Sequence, residues 1–320
     1  MSLDLTKTAL QIDEMASALK ARHSDFRERM GRASDALALF DSDEYERKRQ
    51  QSLEALFWNV PAAIDSPGSQ FAPPVLPDDF CVVAVDGSHI DIDRHIPARC
   101  FLINIGAVVL NYGSRPDAQL SSRPKLYARD DELVIRDKGG SFREQSVEGG
   151  VLGVKRAVEE LKALVEVVKE LPPDVPTLGL LDGSLILFGV SESVFPPFVI
   201  DELVVEGYVG ALDELRQLSS QRRLAIASYI SLPRSQETVN ALRVQVCPYD
   251  TPDCRQHCGE KRVGEKPCDK AVGGLMDRQV FREWLNPKSR SGLMESNFAL
   301  IERHYAGHKV DFFYVNTGEE

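Results

Sequence analysis

Two short apolar runs in this chain end in the same tripeptide. Cys81-Val82-Val83-Ala84-Val85 leads into Asp86-Gly87-Ser88, and Leu178-Gly179-Leu180-Leu181 leads into Asp182-Gly183-Ser184. Short apolar runs bounded by turn residues read as buried strands. In an open α/β sheet the carboxyl ends of the strands line the ligand crevice, so neighbouring strands would set the two carboxylates side by side. Two close anions repel and raise one pKa. A divalent cation removes that cost, and oxygen donors of this kind suit Mg²⁺ or Mn²⁺. The glycine after each aspartate lets the backbone turn or a substrate approach closely. Either copy alone reads as an ordinary strand-ending turn. It is the pair that points to a site.

The rest of the chain supplies an α/β order. Residues 4–57 read as helix, with Leu5, Ala9, Ile12, Met15, Ala16 and Leu19 at three- and four-residue steps and a capping break at Asp41–Ser42–Asp43–Glu44. This arm reads either as an amphipathic hairpin on its own core or as a dimerisation or docking element. Pro61, Pro67, Pro73, Pro74 and Pro77 exclude helix interiors and central strands, which places a linker over 61–79. Beyond it, strands are expected at 81–85, 101–110, 132–136, 178–181 and 224–229, and helices at 142–170, 211–218 and 235–244. The run at 310–315 reads as a further buried strand. Three strands, then helix, strand, helix, strand, helix is the order of an RNase H-like mixed sheet flanked by helices, although other α/β folds share parts of it.

Composition narrows the setting. No stretch approaches 18 apolar residues, so a membrane span is not expected. The first 20 residues carry early acids and no apolar h-region, unlike a secretory signal. Six cysteines in 320 residues are too few for a disulfide scaffold, and a reducing, cytoplasmic location fits. The net charge of −11 argues against polyanion binding by the whole surface. Residues 222–290, however, hold 13 Lys/Arg against 8 Asp/Glu, which makes them the place to look for a nucleic-acid contact.

A phosphoryl-transfer metal needs a third carboxylate, and the helix between the two motifs offers Glu160, with Glu144, Glu148 and Glu159 as rivals. Glu160 also reads as the i,i+4 surface partner of Arg156. Cys247, Cys254, Cys258 and Cys268 lie within 22 residues and could hold a structural zinc or an iron–sulfur cluster, or remain free thiols. Cys81 and Cys100 fall in strand runs and read as small buried hydrophobes. Tyr229 and Arg234 lie where a strand meets a helix start, and Arg243 follows on the helix, a composition suited to phosphates or simply to capping. His304, Tyr305 and His308 cluster without pointing to catalysis.

Taken together, VAVDGSHIDIDRH, VKRAVEELKAL, LLDGSLILF, IASYISLPRSQETVNALRVQVC and HKVDFFYVNTG resemble the NurA family of DNA-repair nucleases, particularly its bacterial members, from about residue 80 onward. The resemblance implies an RNase H-like nuclease domain over 80–320, with 247–270 as a Cys-rich insertion and 1–60 as a helical arm. It implies manganese-dependent degradation of DNA ends during double-strand-break processing, by a homodimer docked on the hexameric ATPase HerA. Asp86, Asp182 and Glu160 would be its metal-binding catalytic carboxylates, with Tyr229, Arg234 and Arg243 toward DNA. The family's Tyr-Pro and Ala-His segment has no match before Glu320, which implies a truncated or incomplete nuclease. Two other classes stay open: a non-catalytic scaffold binding DNA and the ATPase, and an actin-like ATP-binding protein.

Overall fold

The computed structural model describes residues 5–91, 99–140, 142–262 and 264–318; side chains at 10, 13, 14 and 16–22 are outside the described set. The end of the first motif stretch (Ile92–His95), the side chains of Ala16 and Leu19 in the N-terminal stripe, and Glu319–Glu320 therefore lie outside the described residues. The chain divides into two compact units, one of residues 75–231 and 298–310, the other of residues 1–74, 232–297 and 311–320.

The first unit is built on a five-stranded mixed sheet: β1 (Phe80–Ile90), β2 (Phe101–Tyr112), β3 (Asp117–Tyr127), β4 (Thr177–Asp182) and β5 (Leu224–Tyr229), in the order β3-β2-β1-β4-β5. β1, β2 and β3 pair antiparallel, while β4 runs parallel to β1 and β5 parallel to β4. Short connections suffice for the antiparallel trio, and each parallel pair is joined through a helical crossover. The helix Gly149–Glu170 buries Leu152, Leu161, Leu164 and Val168, each fully shielded from water, in one core with Val83, Val85, Ile103 and Ile105. Burial of each such leucine contributes about 2 kcal/mol.

Two expected elements differ. The third strand of the sheet is β3, not 132–136; Val134–Arg136 instead pairs with Glu144–Ser146 in a separate two-stranded ribbon. That ribbon takes up the start of the expected helix at 142–170, which begins at Gly149. The second crossover is helical from Pro197 to Gln221, with a wide-turn segment at Asp201–Val209.

In the other unit the N-terminal helices do not stand apart. Met30, Ala33 and Leu37 pack in one core with Val239, Leu242, Val272, Leu275 and Val280, and Tyr45 and Val60 pack with Ala241, Val244 and Met294. The 61–79 segment also contributes structure: Ala62–Ala63 pairs with Met294–Glu295, and Gln70–Phe71 with Arg290–Ser291. The division at 60 and 80 is thus corrected to a unit that interleaves both ends of the chain with 232–297, because its apolar faces find partners about two hundred residues away. Leu5, Ile12 and Met15, on the expected stripe, are 72%, 51% and 54% exposed. The run at 310–315 is no buried strand: Asp311–Phe312 pairs with Met294–Glu295, Val315 makes a single bridge to Arg290, and no residue of the run is fully buried. Asp277 is completely buried and accepts the amides of Thr238 (3.1 Å) and Val239 (2.8 Å), capping the helix Glu237–Gln245 from a distance in sequence. Among the described residues no helix is long and apolar enough to cross a membrane.

Candidate active site

β1 and β4 are in register with Val85 opposite Leu181, so Asp86 and Asp182 follow side by side at the carboxyl ends of neighbouring parallel strands. Asp182 in turn lies opposite Tyr229 of β5. Burial alternates along β1: Val83, Val85 and Gly87 face the helix, while Asp86 and Ser88 are exposed on the other face. The same alternation along β4 buries Leu181 and exposes Asp182. Residues opposite one another share a face, which makes Asp86, Asp182 and Tyr229 one exposed row.

The two motif glycines are required for different reasons. Gly183 has φ of +114°, a conformation that side-chain-bearing residues avoid, and it turns the chain sharply after Asp182. Gly87 leaves room for a neighbour: a Cβ there would stand 2.5 Å from Glu160 Oε1, 2.8 Å from its Cγ and 2.9 Å from Ile105 Cδ1. Glu160 therefore lies directly against the backbone that carries Asp86, on the helix side of the strand.

Glu160 is 7% exposed. Its Oε1 lies 3.0 Å from Arg156 Nη1 as an ion pair, yet that buried oxygen accepts no well-formed hydrogen bond. The same Arg156 Nη1 donates to the carbonyl of Gly87, tying helix to strand. Burial pushes the Glu160 carboxyl up to about 7; Arg156 opposes the rise, the Asp86 and Asp182 charges add to it, and the Gly87 amide also opposes it. Among the four candidate glutamates, Glu160 is the one buried in the helix against Asp86 and Asp182. Glu144 is an exposed member of the ribbon facing Arg136, Glu148 is exposed at the helix start, and Glu159 is half-buried one residue away.

Whether these residues suit a divalent ion turns on donors and approach. The donor set is right: three hard carboxylates, one with an unsatisfied buried oxygen. Among the described residues, however, no three His, Cys, Asp or Glu side chains gather closely enough to hold one ion. The reason lies in the strand: Asp86 and Asp182 face one side of the sheet, and Glu160 approaches from the other beneath Gly87.

The remaining expected residues separate. Tyr229 is 54% exposed beside Asp182, and Arg234 is exposed in the other unit. Arg243 does not present an open guanidinium. It is buried, paired with the buried Asp269 at 2.5 Å, and stacked 4.5 Å over the Trp58 ring. The expectation that it faces DNA is corrected on that ground. Cys247, Cys254, Cys258 and Cys268 all line one recess and are unpaired, with Cys81 buried in β1 and Cys100 half-buried.

Tyr305, set aside on sequence, proves structural to the site. Its ring is fully buried; its hydroxyl donates to the Leu185 carbonyl (3.0 Å) and accepts the Leu187 amide (3.1 Å), fixing the segment that follows Asp182-Gly183-Ser184. His308 pairs with Asp213 at 3.0 Å, and His304 lies 3.6 Å from Glu192. Its sequence setting, Arg303-His304-Tyr305-Ala306-Gly307, carries no signal of this anchor.

With this geometry in place, comparison with known families is informative. The model of the NurA domain matches residues 81–320, three quarters of the chain and every strand residue of the central sheet except Phe80. No curated protein matches the chain.

Proposed function

The chain belongs to the NurA family, a nuclease family whose members act on DNA, and from that premise we propose that it is a divalent-metal-dependent deoxyribonuclease. The observation that carries the reading is the in-register placement of Asp86 and Asp182 over the buried Glu160. The antiparallel trio extended by two parallel strands fits an RNase H-like sheet.

Asp86 and Asp182 would hold the ion, manganese or magnesium, and Glu160, on the opposite face of β1, would act on that site through its charge rather than as a shared ligand. Such an ion activates water and stabilises the leaving oxygen when a phosphodiester is hydrolysed. The chain's own residues prepare that site. Asp86 and Asp182 set a negative pit at the strand ends; Arg156 holds Glu160 and the Gly87 carbonyl in place. Tyr229 offers an exposed ring and hydroxyl next to Asp182, suited to stacking on a base or bonding a phosphate. Arg234 supplies an exposed cation for the DNA backbone.

The family reading extends to partners: a homodimer, docked on a HerA-type hexameric ATPase that delivers DNA ends during double-strand-break processing in the cytoplasm. The exposed Leu5, Ile12 and Met15 support a contact for the N-terminal helix. A second reading, a scaffold of the same fold that binds DNA and the ATPase without cutting, is favoured by the split of the carboxylates over two faces of β1.

The two readings separate on linear DNA with Mn²⁺. The nuclease reading expects cleavage by the wild-type chain, lost in both Asp86→Ala and Asp182→Ala. Absence of wild-type cleavage alongside retained binding to the ATPase ring supports the scaffold; cleavage unchanged in the variants contradicts the assigned site.

A further inference from the structure

The unit that interleaves both ends of the chain contains a second constellation, independent of the carboxylates. Cys247, Cys254, Cys258 and Cys268 line one recess together with Trp58, Tyr249, His257 and Pro267, around about 370 Å³ of atom-free space that includes its open mouth. Three of the four are buried and none is in a disulfide. Four thiols converge here from a loop, the short helix Cys254–Cys258 and the helix Pro267–Val272, and their charges are within reach of one another.

Two sulfurs are already oriented by backbone donors. The Tyr249 amide donates to the Cys247 sulfur and the Phe57 amide to the Cys254 sulfur. Hydrogen bonds of this kind to sulfur are among the features that tune thiolate-held clusters.

Buried cations accompany the thiols, Arg243 in the lining of the recess and Lys48 and Lys266 near it. Lys48, Arg243 and Lys266 are all buried, and each lies within electrostatic reach of one of the thiols. Lys48 pairs with Glu44 and Arg243 with Asp269. Lys266 has no carboxylate partner among the described residues; its ammonium lies 4.5 Å over Phe57 and 5.5 Å over Trp58. A buried lysine held only by rings remains costly unless an anion is close by. Four thiolates on a metal centre supply that anion.

A single ion and a cluster ask for different ligand arrangements. Four sulfurs on one zinc would stand about 3.8 Å apart, at the edges of a tetrahedron with 2.3 Å arms. Among the described residues no three His, Cys, Asp or Glu side chains are placed to hold a single ion. In a four-iron cluster each thiolate binds a different iron, so the sulfurs spread around a larger body.

We propose that Cys247, Cys254, Cys258 and Cys268 bind a [4Fe–4S] cluster, with Lys48, Arg243 and Lys266 balancing its negative charge. On loading, four S–H bonds give up their protons to solvent and four Fe–S bonds form, with two ferrous ions, two ferric ions and four sulfides taken up, so that no electron is gained or lost. The cluster would staple the 247–268 loops to the segment carrying Phe57 and Trp58.

The test is anaerobic purification of the full chain, followed by reconstitution with equal amounts of ferrous and ferric iron and with sulfide. Visible thiolate-to-iron absorbance is expected, with about four irons and four acid-labile sulfides per chain. Cys254→Ser and Cys258→Ser should each lose that absorbance, while Cys100→Ser keeps it. Zinc in place of iron overturns the proposal, as does a folded wild-type chain that stays colourless, or absorbance that survives both serine variants.

Discussion

Gly87 and Glu160 are in mutual contact: a single methyl group on Gly87 would stand 2.5 Å from the Glu160 carboxylate. A residue midway along a helix and a glycine near the end of a strand thus determine each other. Gly87→Ala should displace Glu160 and Ile105 and cost about 1–3 kcal/mol, as overpacking does. Denaturant unfolding measures that cost, and a Gly87→Ala/Glu160→Ala cycle should show coupling of at least about 0.5 kcal/mol. Additive effects would contradict the contact.

Glu160 also makes stability depend on pH. Its carboxyl is raised from 4.5 to about 7, so between those values the folded state holds a proton that the unfolded chain has released. Its contribution is therefore greatest below pH 4.5, falls as pH rises through about 7, and is flat above. The full difference is at most about 3 kcal/mol. Glu160→Gln should remove this slope, leaving the metal-free protein more stable than wild type at pH 8 while abolishing cleavage. Unfolding curves from pH 5 to 8 check the prediction, and an unchanged slope contradicts it.

Tyr305 positions the segment after Asp182 through its two hydroxyl bonds to Leu185 and Leu187. Tyr305→Phe keeps the ring and leaves the buried Leu187 amide without its acceptor, costing about 1–3 kcal/mol. Cleavage should fall with less loss of DNA affinity, because the change loosens the loop beside Asp182, the carboxylate proposed to hold the ion, rather than a proposed substrate contact. Hydrogen exchange at Leu187 should rise; unchanged protection would contradict the anchor.

The two arginines first considered together should part. Arg243→Ala breaks a buried ion pair with Asp269 and should destabilise by about 3–5 kcal/mol. Arg234→Ala, at an exposed position, should change stability by less than about 0.5 kcal/mol and weaken DNA binding with a shallower salt dependence. Thermal unfolding and DNA titrations at two salt concentrations distinguish them.

What the sequence disclosed follows physical lines. β1, β4 and β5 could be read because short apolar runs end at polar or turn residues. β3 could not: it is exposed at every position but Tyr127, contains Pro124 and lies at the sheet edge, so no alternation marks it. The N-terminal helix was visible from its periodicity, but local pattern carries no record that Met30 and Leu37 meet Val239 and Val272. Within the site, Asp86 and Asp182 stood out as a repeated tripeptide. Glu160 did not, since four glutamates shared similar settings, and it is its burial against Gly87 in the fold that distinguishes it. Arg243 looked like a phosphate ligand because sequence spacing cannot reveal Asp269 and Trp58 around it.

Calorimetric titration of Mn²⁺ into the wild-type chain and into an Asp86→Asn/Asp182→Asn variant tests the carboxylate pair without relying on substrate or partner. The account predicts a saturable binding isotherm for the wild type that is absent in the folded double variant. Equal binding by both proteins would contradict it and place the ion elsewhere.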